Sequence, residues 1–169
     1  QPATSQRVSL PVWIPGSYMV REFSRHLSQL QARQGRRDVA LQQIDKATWQ
    51  AACSGGAALT LSYRVYAFDT SVRTAFLDSS RGFFNGTSLC LRVEGRESEP
   101  HGIRLTGLPR GWSVATAMAG DRVQGYRAAD YDELVDHPFE IGAPWRGTFE
   151  AAGVVHEFVD ADVLGAEVV

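Results

Sequence analysis

The clearest hydrophobic pattern in the sequence is an alternation of period two over residues 59–68. One face of this segment carries Leu59, Leu61, Tyr63, Val65 and Ala67, and the other carries Thr60, Ser62, Arg64 and Tyr66. Side chains that alternate between two faces are typical of a half-buried β-strand. The pattern therefore predicts a strand, and the Ser-Gly-Gly connection at 54–56 predicts that it forms a hairpin with residues 48–52.

Short apolar runs recur along the rest of the chain, separated by turn residues. They predict strands at 8–14, 39–44, 71–77, 83–93, 102–106 and 112–118, and one or two strands over 145–158. Short strands at intervals of about ten residues, with few helices between them, are typical of an antiparallel sandwich. We therefore predict an all-β fold, a β-sandwich or saddle-like antiparallel domain with one or two short helical turns.

Residues 130–136 carry the best helix signal, and Pro138 ends it because the residue before a proline avoids the α region. The segment begins with Asp130, Asp132 and Glu133. Carboxylates at a helix start accept hydrogen bonds from free N–H groups and favour the helix dipole. A calcium loop would also need a glycine turn at a defined spacing, which is absent. The acidic cluster therefore predicts a helix start.

Composition describes an ordinary soluble globular protein of one domain, residues 1–169. The chain is 44% hydrophobic and 21% charged, with a net charge of −2. Nothing in this balance favours nucleic acid or an anionic membrane as a partner. No apolar run approaches the ~20 residues of a membrane span. Gln1 is not a natural start, which leaves room for a removed upstream segment.

Candidate chemistry is sparse. His156-Glu157 opens like the zinc motif H-E-x-x-H, but the fifth position is Asp160 and the surrounding residues are β-branched and strand-like. Nucleophile elbows and phosphate loops are missing. Cys53 and Cys90 lack a metal-ligand spacing and are predicted to be free, partly buried thiols; a disulfide would require the fold to bring their Cα atoms within ~7 Å. We expect no catalytic residue, no metal ligand and no cofactor in this chain.

Residues 10–25, L-P-V-W-I-P-G-S-Y-M-V-R-E-F-S-R, form the most distinctive stretch. Pro11 and Pro15 each remove a backbone donor, so a regular helix or central strand cannot run through both, and 8–14 is predicted to be an edge strand. Pro15-Gly16 predicts a turn. Ser17 is then placed to cap a short helical turn over 18–23.

This stretch, P-x-W-x-P-G-S-Y followed by R-E-F, resembles the N-terminal domain of the glycyl aminopeptidase family, zinc metallopeptidases distantly related in architecture to aminopeptidase N. Four further stretches match in order: Y-R-V-Y-A-F (63–68), S-V-R-T-A-F-L-D (71–78), G-F-F-N-G-T-S-L (82–89) and Y-D-E-L-V-D-H-P-F-E-I-G (131–142). The resemblance covers residues 8–158. It implies that a catalytic zinc domain, and often a PDZ-like domain, belong to the parent protein, and neither is present here.

The resemblance also bears on an ambiguity after the turn. Val20, Phe23, Leu27 and Leu30 fall at helical spacing, which favours one amphipathic helix to about residue 32. The following residues, 24–34, are polar nonetheless. The family resemblance implies a helical turn followed by a strand, and we adopt that interpretation.

The implied role is that of a non-catalytic domain that packs on the catalytic domain and forms one wall of its substrate cleft. By this analogy 82–88 is the loop that reaches the cleft, where Asn85 offers a side-chain amide and Gly86 permits close backbone approach. The dipeptide Asn85-Gly86 itself predicts a hairpin or bulge. Tyr18 and Arg21 are alternative cleft or interface residues. Asp132 or Glu133 is expected near an interdomain surface.

The expected partners are therefore the missing catalytic domain of the same polypeptide and, through the parent enzyme, a peptide substrate, with zinc in the parent. The excised domain is expected to expose an apolar patch and self-associate. A free-standing β-sandwich module that binds peptide or carbohydrate through its aromatic residues is the alternative. A hydrolase that uses the acidic cluster has less support. The sequence does not distinguish between the bacterial cytoplasm and the periplasm as the location of the protein.

Overall fold

The structure is a computed structural model that describes residues 4–14 and 17–161, and it consists mostly of antiparallel strands. The strands are β1 Ser5–Ser9, β2 Leu27–Gln34, β3 Arg37–Val39, β4 Leu41–Gln43, β5 Thr48–Ala52, β6 Leu59–Val65, β7 Ala75–Leu77, β8 Arg81–Phe84, β9 Arg92–Val93, β10 His101–Ile103, β11 Ser113–Ala115, β12 Ala119–Asp121, β13 Gly125–Ala128, β14 Phe139–Gly142, β15 Trp145–Ala151 and β16 Val154–Asp160. The helix α1 spans Tyr131–Asp136, and two 3-10 turns span Phe23–His26 and Gly86–Ser88. The predicted all-β class with short helical turns is confirmed.

The first half of the chain forms two sheets, ordered β4-β5-β1-β9 and β3-β2-β6. β1 lies inside its sheet, since Val8 pairs with Trp49 of β5 on one side and Val93 of β9 on the other. The predicted edge strand over 8–14 is therefore wrong. The strand ends at Ser9, before Pro11, so the missing N–H of the proline never meets a neighbouring strand.

The predicted alternation over β6 is confirmed, but its predicted partner is wrong. Along β6 the residues alternate between partly buried and exposed positions. β6 pairs with β2, whereas β5 pairs with β1 and β4. Because both edges of β5 are occupied, no edge remains for β6, and the Ser-Gly-Gly connection at 54–56 crosses between two sheets instead of closing a hairpin.

The second half of the chain forms sheets ordered β11-β14-β8-β7 and β10-β13-β12, with α1 packed beside them. Phe139 of β14 is completely buried at the centre of the larger core. Its ring stacks on Phe84 at a centroid distance of 4.7 Å and meets the ring of Tyr126 edge-on at 5.2 Å. A smaller apolar cluster contains Leu10, Ile14 and Phe23. Burial of the apolar side chains in these two clusters stabilises the fold.

Local details between residues 10 and 34 differ from the prediction. A helical turn followed by strand β2 is confirmed, but the turn spans Phe23–His26 rather than 18–23. Ser17 does not cap it; the Ser17 hydroxyl accepts a hydrogen bond from Arg21 instead. The predicted Pro15-Gly16 turn lies outside the described residues.

Two further predictions are corrected by the second 3-10 turn. The single strand predicted over 83–93 is interrupted there, because Asn85 begins the Gly86–Ser88 turn between β8 and β9. The hairpin or bulge predicted for Asn85-Gly86 is therefore wrong. By contrast, Cys53 and Cys90 are free and partly buried, as predicted.

Candidate interdomain and cleft surface

Asn85 fixes the shape of the second 3-10 turn. Its side-chain oxygen accepts hydrogen bonds from the backbone N–H of Thr87 at 3.1 Å and from the Thr87 hydroxyl at 2.6 Å. The Ser88 hydroxyl donates to the Asn85 carbonyl at 2.8 Å. This is the N-cap arrangement, in which a side-chain oxygen satisfies a free backbone donor. Contact between Asn85 and a substrate stays a prediction.

Gly86 lies directly beneath helix α1 and is buried. A Cβ at this position would lie 3.0 Å from the Cα of Val135 and 3.1 Å from the carbonyl oxygen of Leu134. Both of these atoms are helix backbone, which cannot rotate away as a side chain can. The glycine is required by the packing of α1 on the turn, and its close approach to a ligand stays a prediction.

The acidic cluster at the start of α1 accepts hydrogen bonds from backbone N–H groups there, as predicted. The Asp130 carboxylate accepts from the backbone N–H of Glu133 at 2.8 Å, and the Glu133 carboxylate accepts from the N–H of Ala129 at 2.5 Å. This reciprocal pattern resembles a capping box. Asp132 is exposed in the first helical turn. A place for Asp132 or Glu133 at an interdomain surface stays a prediction.

The two 3-10 turns and α1 are contiguous, so three of the predicted site regions lie together. The second turn contacts both α1 and the first turn. The loop with Tyr18 and Arg21 leads directly into the first turn. The structure therefore brings the Asn85 turn, helix α1 and the loop with Tyr18 and Arg21 near one another.

The loop before the first turn exposes its apolar residues. Tyr18 is fully exposed, and Met19 and Val20 are 63% and 71% exposed. Arg21, by contrast, is fixed by hydrogen bonds. Its backbone N–H donates to the Val12 carbonyl, and its guanidinium donates to the Ser17 hydroxyl at 3.3 Å. Its Nε is buried without a hydrogen-bond partner among the described residues.

Two aromatic residues that sequence reasoning did not select extend this surface. Tyr66 is 65% exposed, and its ring stacks on His26 of the first turn at 6.0 Å. Phe68 is 62% exposed and stacks on Phe76 at 5.3 Å. Burial, together with the nearby Arg25 charge, lowers the pKa of His26. A signal was available, since the alternation places Tyr66 and Phe68 on the otherwise polar face of the 59–68 segment.

The residues that the structure describes do not fit a zinc ion. His156 and Glu157 are neighbours on strand β16, so they project to opposite faces and cannot bind one ion together. His156 stacks on Phe149, and Glu157 forms an ion pair with Arg146. Over residues 4–14 and 17–161, no group of three His, Cys, Asp or Glu side chains could hold a metal ion. Within the same residues, no helix is long and apolar enough to cross a membrane.

Taken together, the fold and this surface define an antiparallel β domain that presents exposed aromatic and loop residues. Residues 1–143 match the Peptidase M61 N-terminal domain, and the chain belongs to this family. The chain is also similar to the crystal structure of an aminopeptidase N family protein from Idiomarina loihiensis, with 43% sequence identity and a TM-score of 0.87 over 94% of the present chain. It spans only 28% of that protein's chain. No curated protein matches the sequence. The chain is thus an N-terminal domain of a peptidase-family protein.

Proposed function

We propose that the chain is the non-catalytic N-terminal domain of a zinc-dependent, glycyl aminopeptidase-like metallopeptidase. In this role it packs on the catalytic domain of the same polypeptide and forms part of the wall of the substrate cleft. The observation that carries the proposal is the 43% identity to an aminopeptidase N family protein of which this chain spans only 28%. Such a share fits one domain of a larger peptidase.

The division of labour follows from the chemistry of the residues. Zinc held by the catalytic domain supplies the hydrolytic chemistry of such a peptidase. This chain contributes shape and polar contacts, from the Asn85 turn and from the loop with Tyr18 and Arg21. The free amine of a peptide substrate is cationic, and enclosing it without oxygen acceptors costs several kcal/mol. Carbonyl and carboxylate oxygens near the cleft are therefore the groups that matter.

The test is steady-state kinetics of the full-length parent enzyme on glycyl and alanyl dipeptides. Asn85→Ala removes the acceptor that holds the second 3-10 turn in shape. We expect it to raise KM several-fold with little change in kcat, because the turn contributes uniform binding of the substrate. Asn85→Asp is the matched variant, since aspartate caps a turn as well as asparagine does. We expect its KM to equal or fall below that of the wild type.

Stability is measured on both variants, so that a loss of folded enzyme is not read as a loss of binding. Gly56→Ala provides a remote control, because nothing lies within 4 Å of a Cβ at that position. An unchanged KM in a folded Asn85→Ala enzyme would remove Asn85 from the proposed cleft wall.

A further inference from the structure

The strands β15 and β16 form a two-stranded ribbon with two chemically different faces. Gly147 pairs with Phe158 and Phe149 pairs with His156, so residues of odd number on β15 share a face with residues of even number on β16. We call this the aromatic face; it carries Trp145, Phe149, Val154, His156 and Phe158. The opposite, mostly polar face carries Arg146, Thr148, Glu150, Val155, Glu157 and Val159.

The polar face contacts the rest of the domain through Arg146. The Arg146 guanidinium donates to the Val114 carbonyl of β11 at 2.9 Å and forms an ion pair with Glu157 at 2.6 Å. It also reaches the Ser113 hydroxyl at 3.5 Å. Arg146 therefore anchors the polar face to β11, while both faces of the ribbon remain largely exposed.

The aromatic face is ordered yet exposed. The indole of Trp145 lies over Gly147 and meets the Phe158 ring edge-on at 6.1 Å, while Phe149 and His156 stack at 5.0 Å. Phe149 and Phe158 nevertheless remain 56% and 53% exposed. Among the described residues, β15 and β16 pair only with each other. A lone two-stranded ribbon is marginally stable in water, and a contiguous exposed apolar patch marks an interaction site.

We propose that the aromatic face is the docking surface for the domain that follows this one in the longer peptidase polypeptide. The inference rests on the proposed function in taking the chain to be one domain of that polypeptide. The match to the N-terminal domain family ends at residue 143, so the ribbon lies beyond it. The similar aminopeptidase N family chain is much longer, since this chain spans 28% of it.

Chain geometry favours this occupant over a separate protein. β16 ends at Asp160, which pairs with Trp145 at one end of the aromatic face. A segment that continues from this point is tethered beside the face, and tethering raises the effective concentration of a partner to the millimolar range. Apart from His156 and Asp160 the face is apolar, so the docked surface of the following domain is mostly apolar as well.

The experiment measures amide hydrogen exchange over residues 145–160 in the full-length parent and in the dilute 169-residue chain. We expect the ribbon amides to exchange roughly tenfold or more slowly in the parent, because docking suppresses local opening. Phe149→Thr with Phe158→Thr should abolish that difference. Val155→Thr is the matched control: it keeps β-propensity and removes an exposed apolar residue from the opposite face. It should preserve the protection.

Two results would overturn the inference. Equal exchange in the parent and the 169-residue chain would mean that nothing covers the face. Protection that disappears when the parent is diluted would mean that a second copy covers it. Aminopeptidase activity, measured on the same samples, separates the two proposals. An active parent with unprotected ribbon amides contradicts only the docking surface, whereas an inactive parent with protected amides contradicts only the peptidase function.

Discussion

Because Gly86 has no side chain, helix α1 packs directly on the second 3-10 turn. Gly86→Ala would place a Cβ 3.0 Å from the helix backbone at Val135. Because backbone cannot give way as a side chain does, we expect the free energy of unfolding to fall by about 1–3 kcal/mol. Urea denaturation at constant m-value is the measurement.

Gly56→Ala is the control for this substitution, since open space surrounds that position. There the added methyl group reduces only the freedom of the unfolded chain, so we expect no loss of stability. Equal stability of Gly86→Ala and Gly56→Ala would show that α1 can shift at no cost, and the packing argument would then be wrong.

Two tyrosine hydroxyls fix the segment that joins the second 3-10 turn to β9. The Tyr63 hydroxyl donates to the Leu89 carbonyl at 2.7 Å, and the Tyr131 hydroxyl donates to the Cys90 carbonyl at 2.6 Å. These two carbonyls belong to a stretch outside the strands, where backbone acceptors lack ladder partners. The tyrosines therefore provide the hydrogen bonds that a strand would otherwise supply.

Among the elements, α1 depends most visibly on its first residues. Asp130→Ala removes the carboxylate that accepts from the Glu133 N–H. We expect the free energy of unfolding to fall by about 0.5–2 kcal/mol, the usual cost of losing an N-cap. Thermal or urea unfolding monitored by circular dichroism measures the change.

Asp136→Ala serves as the comparison within the same helix. Asp136 is the last residue of α1, where a negative charge faces the negative end of the helix dipole. Its removal should leave stability unchanged or slightly raised. A loss as large as that of Asp130→Ala would show that the effect comes from total charge and not from capping.

How far the sequence predicts an element depends on whether its signal is local. The β6 alternation and the α1 boundaries, set by Asp130 and Pro138, are local signals, and both are confirmed. Pairing is not local: β5 lies between β1 and β4, and nothing in residues 48–68 reports that these edges are taken. The hairpin or bulge predicted for Asn85-Gly86 is wrong for a related reason, because the same dipeptide suits both a hairpin and a capped 3-10 turn.

For the candidate site, sequence motifs identify the family but not the surface. The stretch at 10–25 and the four later motifs point to the peptidase N-terminal domain, and this is confirmed. The alternation of the 59–68 segment carried a signal for Tyr66, but the ribbon face could not be predicted from the sequence, since exposure of an aromatic residue depends on which sheets cover it. Roles for Tyr18, Arg21, Asn85, Asp132 and Glu133 at a cleft or interface remain predictions for the full-length enzyme.

For the whole molecule, the buried thiol and phenol groups make the free energy of unfolding fall at alkaline pH. Burial raises the pKa of the Cys90 thiol and of the Tyr63 hydroxyl to about 12 each, and it raises the pKa of Tyr131 as well. In the unfolded chain a thiol ionises near ~8.5 and a phenol near ~10. As pH rises, the folded state thus keeps protons that the unfolded state loses. The contribution of these groups to the free energy of unfolding is therefore complete below pH ~8.5 and is lost as pH rises toward 12.

The measurement is the urea midpoint between pH ~7 and ~11, compared between the wild type and Cys90→Ala. The variant should lose less stability between pH ~8.5 and ~10, where only the thiol of the three groups ionises in the unfolded chain. Parallel curves over that interval would mean that the Cys90 thiol does not contribute.

The central position of β1 has a consequence for how the protein is made. Residues 5–9 are synthesised before both of the strands they pair with, residues 48–52 and 92–93. This segment of the nascent chain must therefore wait, with apolar Val8 unpaired, until translation has passed Val93. Such delayed strands are the ones that chaperones shield during synthesis. The first sheet of this domain can be completed only after its last strand, Arg92–Val93, has been synthesised.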